Sequence, residues 1–459
     1  MIPRSFPVSP PDSAWLRMEN PTNPMTITGI MGFGTAMPME DLERFVVERL
    51  LRFDRFRMRI EGGGSPTPRW VPDEGFALDR HLFEVDLPAP GGKAGLERLV
   101  SELMSQPLSF DRSPWTIHLV HNTGEAGHEG STLVVRLHHV IGDGIAMMHV
   151  LIHAVDEYFD PKSDVGAPPR RPKKPLSRRI ASTLKGAGAE TVELLTRPRH
   201  LASRLGDVGA GSKALVHLLA MRPDSQTVFK GTTSPTKKAA WTTGLDLDRI
   251  KATAQGLDAK VNDVLMSAAA GALRRYLHER GEPIEGVVVR AATPFNVRPL
   301  ERAHELGNSF GLVFVELPVG EPTARARLEA MKQSMDEVKE TAEPAVVFGI
   351  LQSIGRAPMW VHRQVVSLFE QKATAVMSNV PGPQEPLHII GAPIETMMYW
   401  VPQAGNIGLG ISIISLDGRV RVGVAVDAAY VDDPGVLAAA FEDEFEAMAA
   451  EFADAAQAS

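Results

Sequence analysis

Between residues 170 and 238 the chain carries 15 Lys and Arg against 4 Asp and Glu, a net charge of +11, while the rest carries 33 against 52, a net of −19. The block opens with RRPKKPLSRR, where proline interrupts any helix and like charges repel, so this stretch does not nucleate a core. It separates two long pieces of a 459-residue chain, and that length exceeds what a single hydrophobic core usually supports. Two lobes joined by a linker are therefore expected, with residues 1–165 and 239–459 as the lobes and 166–238 between them. A composition of 44% apolar and 23% charged residues suffices to bury both.

The chain has no cysteine, which excludes disulfides, thiolate nucleophiles, iron–sulfur clusters and cysteine-ligated zinc. Its start, MIPRSFPVSPPDSAW, lacks the apolar stretch of a secretory signal, and no run of about 18 apolar residues offers a membrane-spanning helix. The expectation is a cytoplasmic protein whose membrane contact is peripheral. In the basic block, Leu194, Leu195, Leu201 and Leu205 punctuate a helical pattern that suits either an anionic surface or a solvated connector. Nucleic acid is not an expected partner, because the protein is acidic overall and its basic run lacks interleaved aromatic residues.

Both flanking pieces mix helix and strand patterns. Leu42, Phe45, Val46 and Leu50 recur at helical spacing, TLVVRL at 132–137 is β-rich, and Val261 to Leu277 is an Ala-rich helix. Residues 287–289, 312–317, 409–414 and 420–426 read as strands. A pair of similar α/β (α+β) domains fits this alternation.

The chemistry concentrates in STLVVRLHHVIGDGIAMMHVLIHAV, residues 131–155. A strand leads into His138 and His139, a turn passes Gly142, Asp143 and Gly144, and a helix follows. An imidazole at the end of a rigid strand is held in direction yet open to substrate, and its ordinary pKa near ~6.5 suits proton transfer at neutral pH. Asp143 is placed to hold the turn by pairing with a cation from elsewhere. His149 and His153, i and i+4 on the helix, offer a metal alternative, but the Glu of a zinc-protease helix is missing and packed core histidines explain them better. GNSFG at 307–311 matches a serine-nucleophile pattern in inverted context, since a polar turn precedes it and a strand follows.

HHVIGDG resembles the bacterial wax ester synthase/diacylglycerol acyltransferases, within the chloramphenicol-acetyltransferase-like CoA-dependent acyltransferases. The resemblance runs through PPDSAWLRMENPTNPM, LSFDRSPW, the Asn262-Asp263 pair, TPFNVR (293–298), LGNSFG and SNVPGP (378–383). It implies two similar mixed-sheet lobes meeting at an active-site tunnel, and an O-acyltransferase that moves a fatty acyl group from acyl-CoA to a long-chain alcohol or diacylglycerol. His139 is then the general base, with His138, Asp143, Gly144 and Asn262 completing the catalytic group. Acyl-CoA is a cosubstrate, and neither a cofactor nor a metal is implied. In related acyl-transferring folds an arginine after the first long helix pairs with this aspartate, and in FDRFRMRI Arg57 matches best, then Arg59.

Asn262 reads equally well as a helix N-cap, Asp263 as structural, and SNVPGP as a tight loop in which Ser378 or Asn379 supplies a hydrogen-bond donor. Arg170, Arg171, Lys173, Lys174, Arg178 and Arg179 are the candidates for holding the protein on an anionic membrane or lipid droplet. Two other readings remain open: condensation of carrier-bound acyl groups, and a non-catalytic lipid-binding protein, which the intact His139, Asp143 and Gly144 disfavour.

Overall fold

The strand Ser131–His138 is buried along almost its whole length, as the apolar run Leu133, Val134, Val135 and Leu137 suits a central strand covered on both faces. In the computed structural model, which describes residues 5–124, 130–165, 208–299, 302 and 305–457, it is the third of five strands. Their order is Thr396–Trp400, Thr26–Phe33, Ser131–His138, Trp115–His121 and Leu82–Asp86. The register sets Thr26 opposite His138, so the end of the central strand lies beside the chain that has just left the N-terminal helix Pro10–Met18.

The edge strand Thr396–Trp400 comes from the second half of the sequence and pairs antiparallel with Thr26–Phe33. Trp400 is completely buried and meets Trp241 edge-on at 5.3 Å, so this crossing strand is packed as core. Such burial of a large apolar side chain contributes roughly 1.5–3 kcal/mol.

The second sheet runs Phe310–Leu317, Val289–Asn296, Ala375–Val380, Leu409–Leu416, Arg419–Asp427 and Lys237–Trp241, with Leu245–Asp246 also pairing onto Arg419–Asp427. Its two central pairings are parallel and the rest antiparallel. The Ala-rich helix Val261–Glu279 presents Ala268, Ala269, Ala270 and Ala272 to the core, and these small side chains admit the close approach of the helix Pro434–Gln457. The expected strand at 287–289 starts at Val289 and extends to Asn296. SNVPGP is not wholly a loop: Ser378, Asn379 and Val380 end the strand Ala375–Val380, because they pair in register with Ser412, Ile413 and Ile414, and the chain departs only at Pro381.

Candidate active site

His139 follows the end of its strand and is anchored by its backbone, whose N–H donates to the Met25 carbonyl at 2.8 Å. The turn beyond it closes on the helix Gly144–Ala154. Asp143 is the N-cap of that helix, in extended backbone, and its Oδ1 accepts from the Ala146 N–H at 2.9 Å. Gly142 is required by space, since a Cβ there would meet the Ala146 Cβ and the Met147 Cε at 2.8 Å. Gly144 has more room: the nearest atom to a Cβ on it is Cγ2 of Val380 at 3.5 Å, so the end of Ala375–Val380 runs past the first turn of the helix.

The second lobe supplies the cation that the turn needs. Arg298, 4% exposed, donates from Nη2 to Asp143 Oδ2 at 2.7 Å and to the Gly307 carbonyl at 2.7 Å. Ser309 N–H donates to the same Oδ2 at 2.9 Å, and Asp143 N–H reaches back to the Gly307 carbonyl at 3.3 Å. Gly307 sits at φ +109°, in the left-handed region that glycine tolerates, with Asp12 and Arg55 oxygens and nitrogens 3.0 Å from the position of any added Cβ. The serine of GNSFG therefore acts through its backbone, and a strand, Phe310–Leu317, follows it.

A buried network supports the histidine pair. Asp12, fully buried in the N-terminal helix, accepts from both the backbone N–H and Nδ2 of Asn308 at 2.8 Å and pairs with Arg55 at 3.0 Å. Arg55 in turn donates to the Val140 and Ile141 carbonyls at 2.8 and 3.0 Å, clamping the turn. Asn308 Nδ2 also donates to the His139 carbonyl at 2.8 Å. The His139 ring stacks on Trp15 at 4.5 Å with an 18° tilt and meets Phe310 at 5.7 Å. This apolar enclosure desolvates the ring, and its pKa falls to about 4 despite the opposing charge of Asp143.

His138 is completely buried. Its Nδ1 accepts from the Val140 N–H at 3.0 Å, so in the neutral ring Nε2 carries the hydrogen, facing Glu19 Oε2 at 3.3 Å. That carboxylate oxygen also accepts from the Met25 N–H at 2.6 Å. His138 is thus a brace between the turn and the residues entering Thr26–Phe33.

Arg57 does not pair with Asp143. It lies in a short 3₁₀ turn and binds Asp54 at 2.7 Å, while Arg59 faces Glu61 at 3.6 Å; the short turn Asp54–Arg57 directs Arg55, two residues earlier, toward the site. Asn262 is not an N-cap either: Lys260 holds that position, and Asp263 accepts from its backbone N–H at 3.0 Å as the structural partner of a capping box. Asn262 instead accepts from Asn379 Nδ2 at 2.9 Å. Beside it, Ser378 Oγ accepts from the Tyr399 hydroxyl at 3.0 Å, so the Ser378 hydroxyl hydrogen remains available to another acceptor.

His149 is a core residue whose Nε2–H donates to the Val165 carbonyl at 3.1 Å, and both His149 and His153 pack edge-on against Phe53. Among the described residues no group of three or more His, Asp or Glu is arranged to hold a metal ion, and no helix is long and apolar enough to cross a membrane. Arg170, Arg171, Lys173, Lys174, Arg178 and Arg179, with Leu194, Leu195, Leu201 and Leu205, lie outside the described residues. A cleft of about 500 Å³ opens beside Glu19, lined in part by Met18, Pro21, Met359, His362 and Val366.

The residues missed by sequence reasoning were inside motifs already visible. Asp12, Arg298 and Asn308 each belong to a quoted segment, but their roles depend on contacts across more than 150 residues of chain, which spacing cannot express. Trp15 had no signal beyond being aromatic.

Comparison with known proteins agrees with this geometry. Residues 8–265 match the wax ester synthase/diacylglycerol acyltransferase catalytic domain and residues 306–449 the C-terminal domain of the same family. A putative diacylglycerol O-acyltransferase of Mycobacterium tuberculosis is 27% identical over 442 residues, covering 90% of this chain and 84% of that protein. The solved structure of a wax ester synthase/diacylglycerol acyltransferase from Marinobacter aquaeolei VT8 superposes with a TM-score of 0.69 at 19% identity, over 98% of this chain and all (100%) of that one. The first condensation domain of the CDA synthetase shares the fold at a TM-score of 0.59 and 15% identity, over 98% and 97% of the two chains. The chain therefore belongs to the wax ester synthase/diacylglycerol acyltransferase family and is an acyltransferase.

Proposed function

We propose that this acyltransferase moves a fatty acyl group from acyl-CoA to the hydroxyl of a long-chain alcohol or of diacylglycerol, with His139 as the general base. The observation that carries the reading is the state of His139: enclosed by Trp15 and Phe310 and desolvated to a pKa of about 4, it is unprotonated at neutral pH. An alcohol is a poor nucleophile until it loses its proton, and a thioester carbonyl is electrophilic without a metal. His139 takes the hydroxyl proton as the oxygen attacks the thioester carbon. The tetrahedral intermediate then expels the CoA thiolate, which recovers the proton from the imidazolium.

A ring this weakly basic at rest gains basicity when it is needed, because the oxyanion forming beside it stabilises the imidazolium in a low-dielectric site. No acyl-enzyme is required, so the lack of cysteine costs nothing, and acyl-CoA enters as cosubstrate with no further cofactor. Water-insoluble acceptors place the enzyme at an anionic membrane or lipid-droplet surface. The +11 segment and the exposed Leu215, Val216 and Leu219 within it support that placement.

The test is release of CoA thiol from fatty acyl-CoA across acceptors from short alcohols to diacylglycerol. Turnover that rises with acceptor chain length or with diacylglycerol supports the reading. Thiol release with none of them, together with transfer from carrier-bound acyl groups, would replace it with the condensation chemistry.

A further inference from the structure

At the junction of the lobes two water-shielded atoms lack hydrogen-bond partners and complement one another. Nδ1 of His139 and Oδ1 of Asn308 are both buried and make no hydrogen bond of standard geometry, although buried polar atoms are nearly always paired. The Asn308 carboxamide cannot be turned around: its Nδ2 lies 2.8 Å from Asp12 Oδ1 and 2.8 Å from the His139 carbonyl, two acceptors, so the amino group must face them. Oδ1 is left on the remaining side, near enough to the His139 ring for the Asn308 side chain to act on its protonation, although desolvation outweighs it and the ring stays neutral.

We propose that Asn308 is a positioning residue for acyl transfer, its Oδ1 accepting from an Nδ1–H of His139 and so fixing the neutral ring as the tautomer whose Nε2 lone pair faces the acceptor alcohol. The inference rests on His139 being the base. Asp12 fixes Asn308 by two hydrogen bonds, and Arg55 holds both Asp12 and the turn carbonyls. The chain Arg55, Asp12, Asn308, His139 thereby orients the imidazole through an uncharged amide. An aspartate in that place would also orient the ring but would stabilise the imidazolium as well; the amide orients it and leaves it neutral. Catalytic hydrogen bonds are often long in a resting site and tighten when substrate binds. The rival acceptor is the carbonyl oxygen of His139 itself, which already receives Asn308 Nδ2.

Nitrogen NMR on protein carrying ¹⁵N-histidine, with His139 assigned by difference from His139→Gln, reads the tautomer without reference to turnover. The wild type should show a protonated Nδ1 and an unprotonated Nε2; an Nε2–H ring would overturn the proposal whether or not any variant folds. Asn308→Ala should mix the tautomers and lower kcat about tenfold, the value of one neutral hydrogen bond, at unchanged KM for acyl-CoA. Retention of the Nδ1–H form in that variant, or an unchanged kcat, would show that the His139 carbonyl suffices and would equally overturn it. Full activity in His139→Gln would remove the base assignment while leaving the tautomer result standing.

Discussion

Asp143 does its work with two oxygens in two lobes. Oδ1 caps the helix Gly144–Ala154, and Oδ2 receives Arg298 and the Ser309 N–H. With side chains 8% and 4% exposed, the pair is buried, and removing one charge leaves the other desolvated and uncompensated. Asp143→Asn should therefore cost about 3–5 kcal/mol, seen as a fall in the urea midpoint at unchanged slope; a change below about 1 kcal/mol would mean the pair is effectively solvated. The pKa of His139 sets a second expectation. Its ordinary value near ~6.5 applies in the unfolded chain, whereas the folded value is about 4. Between them only the unfolded state binds the proton, so this contribution to stability is complete above pH ~6.5 and is lost as pH falls toward 4. For the same reason kcat/KM should show no inflection from His139 between pH 6 and 8, and an acid limb centred near ~6.5 would show that the ring is open to water in the free enzyme. Legibility at this scale was divided. His139, Asp143 and the need for a cation were readable from HHVIGDG, because strand, turn and helix are local. The partner was not: Arg57 is 86 residues from Asp143 in sequence and Arg298 is 155 away, and nothing in a chain marks which distant guanidinium will be folded onto a turn.

At the scale of elements, periodicity located most of the regular structure. Val261–Glu279 and Ser131–His138 match their expected spans closely, since each is long and apolar on the faces it buries. SNVPGP misled because Pro and Gly dominate the reading of a segment whose first three residues belong to a parallel strand. The strand Thr396–Trp400 was invisible for a different reason: TMMYW is short, and its partner Thr26–Phe33 lies in the other half of the chain. That pairing has a consequence. Residues 1–165 made alone leave the Thr26–Phe33 edge unpaired, and an open edge recruits other chains. The fragment should elute as aggregate by size exclusion, whereas a monodisperse monomer would show that the crossing strand is dispensable to the first lobe.

For the whole molecule, the site exists only where the lobes meet. His138, His139 and Asp143 come from the first lobe, and Arg298, Asn308 and Phe310 from the second. The expected two-lobe mixed α/β architecture is what the fold shows, but the lobes are laced together by a shared strand and a shared charge pair. The proposed location rests on charge. Each Lys or Arg near an anionic leaflet contributes about 1 kcal/mol within a Debye length of roughly 8 Å at physiological salt. Changing Arg170, Arg171, Lys173, Lys174, Arg178 and Arg179 to Gln should abolish salt-sensitive co-sedimentation with anionic vesicles; equal binding by both proteins, or binding indifferent to salt, would leave the segment a connector. The central claim, that His139 removes the acceptor's proton in acyl transfer, is tested most directly by single-turnover thiol release from fatty acyl-CoA in His139→Ala and His138→Ala, each checked for native folding. His139→Ala should lose at least about 100-fold in rate, the usual worth of a general base, and His138→Ala less, because His138 braces the turn. Near wild-type release from His139→Ala beside a collapse in His138→Ala would contradict the account.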